Sequence, residues 1–124
     1  MRILLDTNVL LWWLADDARL SNVIRRTIRE ADAVFVSAVS AWEIEIKRAT
    51  GKLSAPDNLE RTIRDFNLSG LSVSVPHAIA AGRLPKHHRD PFDRMLIAQA
   101  KLESLTLVTS DAVFQAYDVA VMLL

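Results

Sequence analysis

Short apolar runs alternate with stretches of helical spacing along the whole chain, and that alternation predicts the fold. Residues 2–6 (RILLD) form a run suited to a buried strand. From Thr7 to about Ala15 the apolar positions Val9, Leu10, Trp13 and Leu14 recur at helical spacing. Ser21 is placed to cap a helix through Ala31, with Val23, Ile24, Thr27 and Ile28 along one face. A second strand, AVFVS (33–37), leads into a helix from about Ala38 or Val39 to Thr50, with Gly51 as its stop. Asp57 or Asn58 opens a helix that carries Leu59, Ile63 and Phe66 and ends near Leu68, and LSVSV (71–75) follows as a third strand. Pro76 suits the first turn of a short helix ending before Pro85. After the polar connection KHHRD, Pro91 opens a helix through about Glu103, LTLVT (105–109) forms a fourth strand, residues 111–117 a helical turn, and VAVML (119–123) a fifth strand.

Strands alternating with helices predict an α/β fold, a largely parallel sheet of about five strands with helices on both faces. No repeat or linker divides the chain, so residues 1–124 are expected to form one domain. At 51% hydrophobic residues it can bury a core without staples, and the absence of cysteine excludes disulfides, zinc–thiolate sites and a thiol nucleophile. No apolar run is long enough to span a membrane, and Asp6, Asp16 and Asp17 interrupt what would otherwise resemble a signal sequence. A cytoplasmic location is expected. Fifteen basic residues balance fifteen acidic ones, so bulk charge offers no argument for nucleic acid. The distribution is uneven, however. Arg83, Lys86, Arg89 and Arg94 crowd the approach to Asp90 and Asp93 together with His87 and His88; Arg25, Arg26 and Arg29 form a second cluster, and Lys47, Arg48 and Lys52 a third. Each cluster also reads as an ordinary solvated face.

Four carboxylates stand where strand gives way to helix or just beyond. Asp6 and Asp111 follow the first and fourth strands, Glu43 lies about one turn into the helix after the second, and Asp93 falls in the first turn after KHHRD. In open parallel sheets ligands gather beyond the carboxyl ends of the strands, so the four can converge despite their separation. Each has a structural alternative. Asp6 and Asp111 could cap helices. Glu43 could pair with Lys47 four residues on, although Val39 and Ile46 put it beside the buried face. Glu45 points away from it. Asp90, Pro91 and Asp93 look like a capping arrangement in which Asp90 is the cap, whereas Asp93 shares its stripe with Leu96, Ile97 and Ala100 and points inward.

These segments, LLDTNVLLWWL, VSAVSAWEIEIKRATGKL, RDPFDRMLIAQA and LTLVTSDAVF, resemble those of PIN-domain proteins, in particular the VapC-like toxins of toxin–antitoxin pairs, over essentially the whole chain. The resemblance implies a PIN-like fold and a metal-dependent endoribonuclease. Its acids fall on Asp6, Glu43, Asp93 and Asp111, as catalytic and metal-binding residues. Asp90 is assigned an assisting role, and Thr109 and Ser110 match the hydroxyl-bearing form of the last motif. The chemistry agrees: Mg²⁺ or Mn²⁺ on a few carboxylates supplies a charge sink and an activated water for phosphodiester hydrolysis. Thr7, Asn8, Asp90, Thr109 and Ser110 are candidates to bond those carboxylates or the substrate phosphate. Lys47, Lys86, Arg89 and Arg94 are candidates for the RNA backbone. Four close carboxylates repel, so at least one is expected to have a raised pKa. The resemblance also implies a homodimer and a VapB-like antitoxin partner, for which Leu11 or an exposed Trp12 is a candidate contact.

Trp12, Trp13 and Trp42 are otherwise expected mainly in the core. His77, His87 and His88 are not expected to bind a metal; the adjacent His87 and His88 are expected to be solvated or to touch a phosphate. Two rival functions have discriminating features. An aspartyl phosphotransferase of the haloacid dehalogenase type would need an acid two positions after Asp6, where Asn8 stands. Alternatives within the same fold are a solitary RNA-processing nuclease and a non-catalytic RNA- or protein-binding module, the latter at odds with a complete acidic set.

Overall fold

The computed structural model describes all 124 residues. Five strands, β1 (Arg2–Leu5), β2 (Ala33–Ser37), β3 (Ser69–Leu71), β4 (Thr106–Thr109) and β5 (Val121–Leu123), form one sheet in the order β3-β2-β1-β4-β5. Every neighbouring pair is parallel. The helices are α1 (Thr7–Leu14), α2 (Asn22–Glu30), α3 (Ala38–Ala49), α4 (Leu59–Asp65), α5 (Val75–Arg83) and α6 (Pro91–Leu102), with a short 3₁₀ turn at Ala112–Ala116. The α/β class, the parallel sheet and its strand number agree with the sequence reading.

Why both faces are covered is written in β1. Ile3, Leu4 and Leu5 are all fully buried, and consecutive side chains of a strand point to opposite faces. Ile3 and Leu5 join Val9, Leu10, Ile24, Ile28 and Ile44 in one core, while Leu4 joins Val39, Leu96, Ile97, Leu107 and Phe114 in the other. A strand with three consecutive buried apolar residues sits in the middle of a two-sided sheet. Because the chain runs outward from β1 through β2 to β3, then returns to β4 on the opposite side, strand order reverses between β1 and β4. The carboxyl ends of those two strands are therefore the switch point at which such sheets bind ligands.

One strand lies elsewhere than its pattern suggests. The alternation of LSVSV predicts strand over 71–75, yet β3 pairs only Ser69, Gly70 and Leu71 with β2. Ser74 has become the cap of α5: its hydroxyl accepts the His77 N–H at 3.2 Å, and His77 Nδ1 accepts the Ser74 N–H at 3.0 Å. This reciprocal cap outcompetes strand pairing and leaves Val73 and Val75 exposed at 39% and 73%. His77 is buried in that role.

If the cap holds this boundary, Ser74→Ala costs about 1 kcal/mol in urea unfolding. Val75→Thr, harmless at an exposed helix start, changes stability by less than about 0.5 kcal/mol; a larger loss would place residues 71–75 in a buried strand after all.

Candidate metal centre

Asp6 continues the line of β1, its N–H donating to Val108 O of β4 at 2.9 Å. It occupies the cap position of α1 but its side chain makes no capping hydrogen bond. Instead Asp6 Oδ2 accepts the Thr109 hydroxyl at 2.7 Å, a bond between two buried groups at the ends of adjacent strands. Thr7 donates to Ser40 Oγ at 2.9 Å, tying the start of α1 to α3 one turn before Glu43. Ser40 has no exposed surface and was not singled out by its sequence context.

Glu43 is 4% exposed. Its Oε2 holds Lys47 at 2.8 Å, so the ion pair available at that spacing does form. Its other oxygen, Oε1, is buried with no hydrogen-bond partner. A buried acceptor without a partner costs about 1–3 kcal/mol, and more when charged. An ion pair alone does not account for this glutamate. The pairing raises the Lys47 pKa and commits that ammonium to the site.

Asp93 enters from the first turn of α6, whose cap is Asp90: Asp90 Oδ1 accepts the N–H of Phe92 at 2.8 Å and of Asp93 at 3.4 Å. Asp90 thus spends one oxygen on the helix and Asp93 is free of that duty. Asp111 divides its oxygens. Oδ1 accepts the Val113 N–H at 2.9 Å and caps the 3₁₀ turn, while Oδ2 lies 3.2 Å from His88 Nε2. The Thr109 hydroxyl also accepts the Asp111 N–H at 3.0 Å, linking the first and fourth acids through one side chain.

Electrostatics shows that the acids share one space. Burial, followed by the charges of Asp6, Asp90, Glu43 and Asp111, pushes the Asp93 carboxyl up to about 8. Asp6 is also raised, by burial first and then by Glu43 and Asp111, against the opposing Thr109 hydrogen bond. Hard oxygen donors, an orphaned buried oxygen and two carboxyls that resist ionising fit a hard divalent cation.

His88 is the residue that sequence reasoning missed. Expected to be solvated or on a phosphate, it places Nε2 2.9 Å from Asp93 Oδ2, and one ligand-type atom each from His88, Asp93 and Asp111 lie within 4.8 Å of one another. The two acids stand apart from His88 in sequence, and the fold brings both to its ring. The loop that carries it is pinned. Tyr117 Oη accepts the N–H groups of His87 and His88 and donates to Pro85 O at 2.8 Å. Arg94, expected on RNA, spends its guanidinium on the carbonyls of Ala81, Leu84, Pro85 and His88, which the turn after α5 gathers around it. Lys86 and Arg89 form no ion pair, and with His88 and Arg94 they line a depression of about 440 Å³. Asn8 and Ser110 are exposed beside the site with no side-chain bond to the acids. The largest cavity, about 660 Å³, lies between α3 and α4 and contains none of the four acids.

Trp42 is not a core residue: it is 62% exposed, edge-on to Phe92 with ring centroids 5.3 Å apart. Trp12 and Trp13 are half-buried, Trp12 under Arg19.

A family model described as PIN domain matches residues 3–120. Ribonuclease VapC22 of Mycobacterium tuberculosis is 33% identical over 114 residues, covering 88% of this chain and 86% of that protein. Among solved structures, the DNA-bound VapBC of Salmonella typhimurium superposes with a TM-score of 0.71 at 17% identity, over 98% of this chain and 97% of that one. FitAcB of Neisseria gonorrhoeae gives 0.69 at 24% identity, over 97% and 96%. These structural likenesses establish the fold.

The Asp93 shift sets a pH signature. In the metal-free protein its carboxyl holds its proton up to about pH 8 when folded, against 3.8 unfolded. The folded state is therefore favoured below the lower value, and that advantage is lost as pH rises through the upper one. Thermal melts in chelator should show wild type losing stability across this window, with Asp93→Asn largely spared; Mg²⁺ should raise the wild-type midpoint more at alkaline than at acid pH. Equal pH dependence in the two proteins would contradict the assignment.

Proposed function

The chain belongs to the PIN domain family, and from that membership we propose that it is a metal-dependent endoribonuclease acting as the toxin of a VapBC-type pair. The observation that carries the reading is the convergence of Asp6, Glu43, Asp93 and Asp111 at the switch point, with Glu43 Oε1 buried and unpartnered and the Asp93 carboxyl raised by burial and then by the neighbouring acids. The name of the Mycobacterium tuberculosis relative supports RNA as the substrate, and the VapBC complexes support an antitoxin partner.

In this reading Asp6, Glu43 and Asp93 hold Mg²⁺ or Mn²⁺ directly or through water, and Asp111 completes the site or orients the attacking water. When bound, such a cation supplies an acidified water and a sink for the charge that develops on the phosphate. The chain's own groups arrange the rest. Thr109 fixes the rotamer of Asp6, Lys47 restrains Glu43, and Asp90 secures the helix turn that presents Asp93. Lys86 and Arg89, free of carboxylate partners beside the acids, are assigned to the RNA backbone. Asn8 and Ser110, both exposed, are assigned to the substrate phosphate. The half-buried Leu11 and Trp12 on α1 offer an apolar contact for the antitoxin; Leu11, Leu14, Ala55 and Pro56 line a depression of about 320 Å³ there. We assign the protein to the cytoplasm as a homodimer; no helix is long and apolar enough to cross a membrane.

Purified protein should cleave RNA with Mg²⁺ or Mn²⁺ and not in chelator, and both Asp6→Asn and Asp93→Asn should abolish cleavage. Thr109→Val should weaken metal affinity about 10–100-fold. Lys86→Ala and Arg89→Ala should each lower the salt dependence of RNA binding by about one charge. Cleavage surviving in both aspartate variants would sink the site; absence of cleavage by wild type with either metal would favour a binding module. Growth arrest on expression, relieved by the product of a small neighbouring gene, tests the toxin role.

A further inference from the structure

Three contacts fix His88 in place. Its N–H donates to Tyr117 Oη at 2.8 Å, its carbonyl accepts from Arg94 at 3.3 Å, and its ring Nδ1 accepts the Asp90 N–H at 3.2 Å. A ring nitrogen that accepts an N–H carries no proton, so the neutral imidazole holds its hydrogen on Nε2. That nitrogen lies 2.9 Å from Asp93 Oδ2 and 3.2 Å from Asp111 Oδ2. To ligate a cation, Nε2 would need its lone pair free. The proton would then have to move to Nδ1, against the Asp90 N–H.

We infer that His88 is a positioning residue: its Nε2–H, aimed between Asp93 and Asp111, holds the two carboxylates together and keeps His88 outside the coordination shell. The inference rests on reading the acids as a cation site. Its structural need is plain. Asp111 follows β4 while Asp93 is carried by α6, and His88 Nε2 is the one hydrogen-bonding group close to both carboxylates. Two acids carried by separate elements keep a fixed spacing where a donor spans them. Metal-site carboxylates are commonly held by such outer hydrogen bonds. The compact His88–Asp93–Asp111 group is then two ligands and their clamp, not three ligands.

Long-range ¹H–¹⁵N NMR of the imidazoles, with and without saturating Mg²⁺, reads the tautomer in the wild-type protein. The hydrogen should remain on Nε2 in both states. Calorimetric Mg²⁺ titration should show His88→Ala binding about 10–100-fold more weakly, with His88→Gln, whose amide can span the same oxygens, recovering most of that loss. Transfer of the hydrogen to Nδ1 on adding Mg²⁺ would overturn the inference and make His88 a ligand. Unchanged Mg²⁺ affinity in His88→Ala, or no Mg²⁺ binding by wild type, would overturn it too. Should the tautomer and affinities come out as expected while RNA stays intact, the nuclease reading fails and the clamp stands. The wild-type spectra decide even if His88→Ala does not fold.

Discussion

Mutual repulsion among buried carboxylates is the constraint around which this structure is arranged. Asp6 and Glu43 have almost no exposed surface, and Asp93, also largely withdrawn from water, carries a carboxyl pushed to about 8 by burial and by four neighbouring acids. Nothing in the packing of the two cores requires those charges. Replacing water around an ion by protein is expensive, and placing a second ion of the same sign beside it adds to the cost. A fold keeps such a site only where a counter-charge is expected to arrive.

Much of the polar structure makes sense as a response to that strain. Thr109 turns one hydroxyl toward Asp6 and accepts the Asp111 N–H, so the ends of β1 and β4 are locked at a common spacing. Lys47 neutralises one oxygen of Glu43 and leaves the other bare. Tyr117 and Arg94 spend their polar groups on backbone of the 81–88 segment, far more than a surface loop requires, and the product is a rigid support for His88. Stability is given up at the acids and regained around them, the usual division between a functional site and its scaffold.

The α/β class, the sheet, the helix boundaries to within a few residues and the gathering of the four acids were legible in the chain. Each depends on local pattern: apolar runs, helical spacing, caps such as Ser21, Asn58 and Asp90, and the position of an acid after a strand. The failures have other causes. β3 was displaced because a cap at Ser74, reinforced by the side chain of His77, competes with a strand pattern that looks equally good in one dimension. His88 was undervalued because its partners lie 5 and 23 residues away; Tyr117 and Arg94 hold its backbone, and the Asp90 N–H on Nδ1 aims its ring. For Arg94, a candidate for the RNA backbone, sequence shows the charge but not the four carbonyls that it bonds. Trp42 was expected inside by type, although its neighbour Glu43 holds the inward position on the helix. Contacts between separated segments decided His88 and Arg94; local competition decided β3 and Trp42.

The most direct measurement is the number of protons released when the protein binds Mn²⁺, obtained by calorimetry in buffers of different ionisation enthalpy. With the Asp93 carboxyl near 8, binding at neutral pH should expel close to one proton, falling toward none above about pH 9, and Asp93→Asn should expel essentially none. Tight Mn²⁺ binding by the wild type with no proton release at neutral pH would contradict the account, because it would mean that the carboxylates stand ionised side by side without the cation.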